Sequence, residues 1–388
     1  MFNPRQTSGQ GFPDARWIGL GNEAGDQLFS RGLCLLGGII FQVFHESEDR
    51  VAPAEPLDQA GFGKVHEILT RPPETIAGRA KTGDMSMGAD IVDYLVKGAG
   101  VTEIDWMLDL GQMHQPKAWL LDVRTGLTPH SVLRLRATNT LVVALDDGTA
   151  RRLMADASFY PPVPQVFGLD WSLAEREPNV GWEWVALGQD NLPPRTQNAG
   201  TPHILVSMGG SDPHGLTLPA VKALASIRRN VNVTVVVGPS VSDDAEAAVR
   251  REAPGFTVVR NPENLGDIMA TADVALVTFG VTAYELAAIG VPAIYICLNE
   301  DHAESASAFV RAGMGVSLGL AASLESHHMS DSVVDLLDDP DLCRSMSAAG
   351  RMNLDGRGAT RIAAALTRLI QERAEALTTP TTLRAAVA

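Results

Sequence analysis

The stretch Val274-Ala-Leu-Val-Thr-Phe-Gly-Val-Thr-Ala-Tyr-Glu-Leu-Ala-Ala-Ile-Gly-Val-Pro-Ala-Ile-Tyr-Ile296 restricts the fold more than any other part of the chain. Two apolar runs rich in β-branched residues enclose a segment that opens at Gly280 and stops at Gly290. Neither run alternates apolar with polar residues, as expected of parallel strands covered on both faces. The unit therefore reads strand, glycine turn, helix, glycine stop, strand. Gly280 permits a tight turn and leaves room for a ligand against the main chain. A helix opening at Thr282 directs free N–H groups and a partial positive charge into that turn, which suits a diphosphate. Glu285, one turn into the helix, is placed to grip a ribose diol. The alternative is an ordinary β-α-β unit in which Glu285 is a solvated helix residue.

The flanking sequence repeats the pattern. Strands are predicted at 203–208, 232–237, 256–259, 273–277, 292–296 and 314–318, with helices between them and one or two more from about 340 to 375. Alternation of this density means a parallel, doubly wound sheet. Residues 188–202 are turn-rich, nearly devoid of large apolar side chains, and read as a linker. They divide the 388 residues into an N-terminal α/β domain over 14–187 and a C-terminal one over 202–375. In the N-terminal domain, helix-like spacing runs from Asp26 to Leu36. Strands are predicted at Ile39–Phe44, Ala118–Asp122 and 140–145, the last two separated by a helix. Pro72-Pro73 and a scatter of glycines break the pattern between about 70 and 100. Residues 1–13 read as a loose lead and Leu377–Leu383 as a disordered tail.

Charge and cysteine usage exclude several classes. With 46 acidic against 31 basic residues, the formal charge of −15 argues against nucleic acid as a main partner and against a broad basic surface for anionic lipid. Cys34, Cys297 and Cys343 are far apart, show no metal-ligand spacing, and read as free thiols in a reducing compartment. No apolar run approaches the length of a membrane span. Met1-Phe-Asn-Pro-Arg lacks a charged-then-apolar leader, so a cytoplasmic protein is expected.

In an open parallel sheet, ligands bind outside the carboxyl ends of the strands. Three strand-to-helix turns carry suitable residues. Gly209-Gly210-Ser211-Asp212 exposes main-chain N–H groups, adds a hydroxyl donor, and ends on a residue able to cap the next helix. Its alternative is a plain turn followed by an N-cap. The second turn is Phe279–Glu285. The third, Asn299-Glu-Asp-His302, opens another helix with Asp301 and His302; a lone histidine there also reads as a surface helix-start residue. The three turns follow strands of one sheet and are expected to converge on one crevice. The chain contains no G-x-G-x-x-G fingerprint with its trailing acid, no Walker loop, no H-E-x-x-H, no G-x-S-x-G and no C-x-x-C.

From His203 to Leu318 the chain resembles the C-terminal domain of GT-B nucleotide-sugar enzymes. The matching stretches are Ile204-Leu-Val-Ser-Met-Gly-Gly-Ser-Asp-Pro213, Gly280-Val-Thr-Ala-Tyr-Glu-Leu-Ala-Ala-Ile-Gly-Val-Pro292, and Glu300-Asp-His302 followed by Ala312-Gly313. The likeness is nearest to the family of the pseudaminic acid pathway UDP-sugar hydrolase and spore-coat polysaccharide biosynthesis, and more distant to the lipid II-forming N-acetylglucosaminyltransferase. It implies two Rossmann-like domains facing across a cleft, with the last helix returning to the N-terminal domain. It also implies that Glu285 holds the ribose of a UDP-sugar, Thr282 and the Gly280 turn the diphosphate, and Gly210 to Asp212 the sugar or phosphate side. The third site, where the family reads E-N-Q, is Glu300-Asp301-His302 here.

In the N-terminal half, Leu120-Leu-Asp-Val123 and Val142-Val-Ala-Leu-Asp-Asp-Gly-Thr-Ala150 resemble the family's two acidic strand ends. The resemblance brings Asp122, Asp146 and Asp147 toward the cleft, with Asp147 as the candidate base of a transferase. Asp147 capping the following helix is an equal alternative. The chain departs from the hydrolase pattern at Ile18-Gly-Leu-Gly-Asn-Glu-Ala-Gly25, where the family reads I-G-x-G-H-x-x-R. Asn22 stands for the catalytic histidine and Gly25 for the arginine. An amide is no base at neutral pH. The expectation is thus a transferase, a hydrolase with altered chemistry, or a silent nucleotide-sugar-binding subunit of a larger enzyme. No cofactor is expected. No D-x-D pair appears near a predicted C-terminal strand end, so no metal is required.

Overall fold

The computed structural model describes residues 15–18, 31–36, 39–44, 103–123, 126–187, 192–196, 200–262 and 264–378. Two sheets organise them. By contacts the chain divides into a unit containing Tyr160–Leu169 and Val180–Ile362, and a unit containing Pro4–Phe159, Asp170–Asn179 and Ala363–Ala388.

The first sheet contains β1 (Ala15–Ile18), β2 (Arg31–Leu36), β3 (Ile39–Phe44), β4 (Ala118–Asp122), β5 (Leu141–Leu145), β6 (Ala157–Tyr160) and β7 (Asn179–Val180), side by side in that order. Strands β3 to β6 are parallel. Its helices include α1 (Glu103–His114) and α2 (Pro129–Arg136). Helix α2 starts where the sequence directs it: Pro129 fills the first turn, and Thr128 and Ser131 exchange capping hydrogen bonds. Met107 and Leu110 of α1 and Val132 and Leu135 of α2 bury against Trp119, Leu121 and Val142.

The helix expected over Asp26–Leu36 is not found across its second half. Residues 31–36 form β2, which pairs antiparallel with β1 and β3. The pairing of Leu36 with Ile39 leaves only Gly37-Gly38 as the connection. Two glycines suit the primed turns of a two-residue hairpin. Leu33-Cys-Leu-Leu36 is apolar throughout, and so short a run does not distinguish helix from strand. Residues 19–30, which carry the rest of the fit of Gly19–Gly38 to the hydrolase family, lie outside the described residues, Asn22 and Gly25 among them.

A short helix, α3 (Pro164–Phe167), and a 3-10 turn at Trp182–Trp184 follow β6 and β7. The second sheet then contains β8 (His203–Ser207), β9 (Asn232–Val237), β10 (Thr257–Arg260), β11 (Val274–Thr278), β12 (Ala293–Cys297) and β13 (Gly315–Leu320). All are parallel, in the order β10-β9-β8-β11-β12-β13. Its helices are α4 (Thr217–Ala225), α5 (Asp243–Glu252), α6 (Leu265–Ala270), α7 (Val281–Ile289), α8 (Glu300–Arg311), α9 (Ser326–Asp338), α10 (Pro340–Asn353) and α11 (Gly358–Thr378). Strands β11 and β12 are buried at every residue, which is why their sequences lack alternation. Ile204, Val206 and Leu276 pack on one face with residues of α4 and α9. Leu205, Ala275 and Val277 pack on the other with Ala283, Leu286 and Ala287 of α7. Gly290 ends α7 at φ 87°, with Val291 N–H donating to the Leu286 carbonyl at 2.8 Å. A left-handed glycine with that bond is a Schellman stop.

Within the segment 188–202, Arg195 donates to the Gly290 carbonyl at 3.0 Å and to Ser347 Oγ. The far end of α11 belongs to the unit of the first sheet: Glu372 pairs with Arg176 at 3.2 Å, and Arg373 reaches Asn139 Oδ1 at 3.3 Å. Among the described residues, no helix is long and apolar enough to cross a membrane.

Candidate functional site

The order of the second sheet reverses direction between β8 and β11. Such a switch point opens a crevice beyond the carboxyl ends of the two strands, because their connections leave toward opposite faces. The Gly209–Asp212 turn follows β8, and the Phe279–Gly280 turn follows β11. The two meet: a Cβ on Gly209 would lie 3.6 Å from Thr278 Oγ1. The third turn joins them through Phe279, whose ring lies 6.2 Å from that of His302 at the start of α8. The three turns named from the sequence thus occupy one edge of one sheet.

Each turn has its own chemistry. Gly209 adopts φ 85°, a conformation that favours glycine. Gly210 is exposed, with no protein atom within 4 Å of where a Cβ would be. The loop is braced from β9: Ser240 N–H donates to the Gly210 carbonyl at 3.1 Å, and a Cβ on Gly238 would collide with the Gly210 backbone. Asp212 lies four residues before Leu216, the N-cap of α4, and its carboxylate accepts from Leu216 N–H at 2.7 Å and Thr217 N–H at 2.9 Å. Both carboxylate oxygens are thus engaged with the protein's own backbone at the entry to the helix.

Helix α7 starts without a side-chain cap and without an acidic residue in its first turn, so its first N–H groups remain available to an anion. Gly280 has an extended φ of 171°, which does not itself demand glycine. What the missing Cβ leaves is open space, with no atom within 4 Å. Thr282 and Glu285 are half-buried. Burial raises the Glu285 carboxyl above its ordinary range. Among the described residues Glu285 has no hydrogen-bond or ion-pair partner.

Helix α8 is capped by Asn299, whose side chain accepts the His302 N–H at 2.8 Å. Its first turn is also held by a residue the motif reading did not include. Gln165 Nε2 in α3 lies 2.8 Å from the Asp301 carbonyl oxygen, 2.9 Å from Asp301 Oδ1 and 2.8 Å from Ser305 Oγ. No local signal marks Gln165, since its partners lie more than 130 residues away. Replacing Gln165 with Ala is expected to lower stability by about 1 kcal/mol, the net worth of a typical hydrogen bond. Denaturant titration measures it, and an unchanged midpoint would show the contact to be idle.

The N-terminal candidates separate. Asp122 ends β4 and Asp146 follows β5, both half-buried. Asp147 is buried. Its Oδ2 accepts from Arg151 Nε at 2.7 Å and its Oδ1 from Thr149 N–H at 2.8 Å. Arg151 continues to the carbonyls of Leu127 and Val123 at 2.9 and 2.6 Å. The carboxylate is therefore part of a buried bracket behind β4 and β5, where a general base would need to reach a substrate proton.

No protein-family model matches the chain. It is 29% identical over 174 residues to the spore coat polysaccharide biosynthesis protein SpsG of Bacillus subtilis, covering 44% of this chain and 51% of that protein. It is 28% identical over 172 residues to the UDP-N-acetylglucosamine--N-acetylmuramyl-(pentapeptide) pyrophosphoryl-undecaprenol N-acetylglucosamine transferase of Acidothermus cellulolyticus, covering 41% of this chain and 46% of that one. The chain thus spans about half the length of these curated relatives. Among solved structures, Acinetobacter baumannii MurG superposes with a TM-score of 0.52 at 16% identity, covering 69% of this chain and 76% of that one. A putative UDP-N-acetylglucosamine 2-epimerase of Listeria monocytogenes gives a TM-score of 0.54 at 15% identity, covering 74% and 84%. By fold the chain belongs with the GT-B proteins, and by sequence it is a relative of the spore coat polysaccharide protein and of that N-acetylglucosamine transferase.

Proposed function

We propose that this chain binds a nucleoside diphosphate sugar of the UDP-sugar class and acts as a glycosyltransferase-type enzyme of surface polysaccharide or glycan synthesis. One observation carries the reading. At the switch point lie the uncapped start of α7 and two open glycine turns, and one turn into α7 stands Glu285, a half-buried carboxylate with no partner among the described residues. A diphosphate complements the N–H groups of the helix start. A ribose diol supplies the donors that Glu285 lacks. The names of the transferase and epimerase relatives support uridine as the base.

In this arrangement, the start of α7 and the N–H groups of the Gly209–Gly210 turn stabilise negative charge as it develops on the departing diphosphate. Donors fixed in advance need no reorganisation during the reaction. The sugar extends toward the Gly210–Asp212 side and the Asp301–His302 turn.

A second reading, nucleotide-sugar binding without turnover, is favoured by Asp147, the carboxylate proposed as base, being engaged with Arg151. Incubation with UDP-N-acetylglucosamine and related UDP-sugars, with and without acceptor glycans, separates the readings. UDP release only with acceptor supports transfer. Release into water alone supports a hydrolase, and binding without release supports the silent subunit. Failure to bind any nucleotide sugar would sink all three.

A further inference from the structure

Thr278 is the last residue of β11 and flanks the switch point. Its neighbour across the reversal is β8, where Ser207 pairs with Val277. The residue is 7% exposed. Alternation along β11 turns it to the α4 side, since Val274 and Leu276 lie in the core on that face. Its hydroxyl makes no hydrogen bond to any described residue. The residue is more than nine-tenths buried, yet the hydroxyl oxygen itself is not sealed from solvent, so it stays open to a partner from outside the protein. Thr278 Oγ1 is also the nearest atom to the place a Cβ on Gly209 would take, at 3.6 Å. The hydroxyl therefore lies beneath the turn whose next residue, Gly210, borders open space.

We infer that the Thr278 hydroxyl is a direct ligand-binding group, donating a hydrogen bond to a phosphate oxygen of a nucleoside diphosphate seated over the Gly209–Gly210 turn. The inference rests on the nucleotide reading above and deepens it. A β-branched threonine has a stiff χ1, so the donor is fixed before the ligand arrives. Glycine at 209 keeps the approach to it free of a side chain. Valine at 278 would fill the same volume without the hydroxyl, so its presence would be expected if packing alone mattered.

The test is calorimetric titration of the full chain with UDP, together with thermal unfolding of the ligand-free protein, for the wild type, Thr278→Val, Thr278→Ser and Glu285→Ala. Thr278→Val is expected to weaken UDP binding about tenfold or more, the effect of losing a hydrogen bond to a charged group. Its unfolding temperature should equal or exceed that of the wild type, because no protein hydrogen bond is lost. Thr278→Ser, which keeps the hydroxyl, should bind within about threefold of the wild type, a difference near half a kcal/mol by that same conversion. Unchanged affinity in Thr278→Val overturns the inference. So does equal weakening in Thr278→Ser and Thr278→Val, which would assign the effect to packing. A lower unfolding temperature in Thr278→Val assigns the hydroxyl to the fold and also overturns it. If the wild type binds UDP and Glu285→Ala alone weakens it, the nucleotide reading stands and this inference falls. If the wild type does not bind UDP, both fall.

Discussion

Replacing Asp147 with Ala is expected to destabilise the protein by about 3–5 kcal/mol, the cost of breaking a buried ion pair by removing one partner. The two side chains are 5% and 6% exposed, and the Arg151 guanidinium is fixed by two carbonyls besides the carboxylate. It cannot swing to water without breaking those bonds. The variant therefore removes the carboxylate that faces the buried guanidinium. Asp147→Asn should lose less, since the amide oxygen still accepts the Thr149 N–H. Denaturant unfolding of the three proteins measures the effect. A loss below about 1 kcal/mol, the range of exposed ion pairs, accompanied by loss of turnover would return Asp147 to the role of base.

Replacing Glu285 with Ala is expected to weaken UDP binding by about 1–3 kcal/mol, the worth of a charge-assisted hydrogen bond. The proton linkage gives the result a second signature. Burial raises the carboxyl of the ligand-free protein. A carboxyl raised in the folded state contributes stability below its unfolded pKa, and that contribution is lost as pH rises through the folded value. Above the raised pKa the ionised group therefore destabilises the empty site. Glu285→Gln should raise the unfolding temperature of the ligand-free protein while weakening UDP binding, a trade typical of binding sites. Wild-type affinity should fall on acidification through the raised pKa, and the Gln variant should lack that fall. A Glu285→Gln protein with wild-type affinity would remove the ribose contact.

Much of the unit that holds the second sheet was legible in the sequence, for local reasons. Its strands are buried on both faces and write themselves as unbroken apolar runs. Its helices carry their own punctuation, as at Asp212, Ser242, Asn299 and Gly290. Predicted and observed strands there differ by at most two residues at their ends: 203–208 stands against His203–Ser207, and 232–237 matches Asn232–Val237. The unit that holds the first sheet was less legible. Residues 31–36 form a strand where a helix was expected, because a short apolar run is settled by its pairing partners.

By itself the sequence determined that strands and helices alternate, that three turns carry ligand-type residues, and that Glu285 stands one turn into a glycine-opened helix. These follow from periodicity, capping and backbone freedom, which act within a few residues. The tertiary structure alone decided how the strands order themselves, and so which turns share the switch point. It decided that Asp212 and Asp147 are engaged by the protein while Glu285 and Thr278 are left without partners among the described residues. It also placed Gln165 on the start of α8. Whether a polar side chain is satisfied or left to a ligand depends on desolvation and on partners distant in the chain, which no local pattern records.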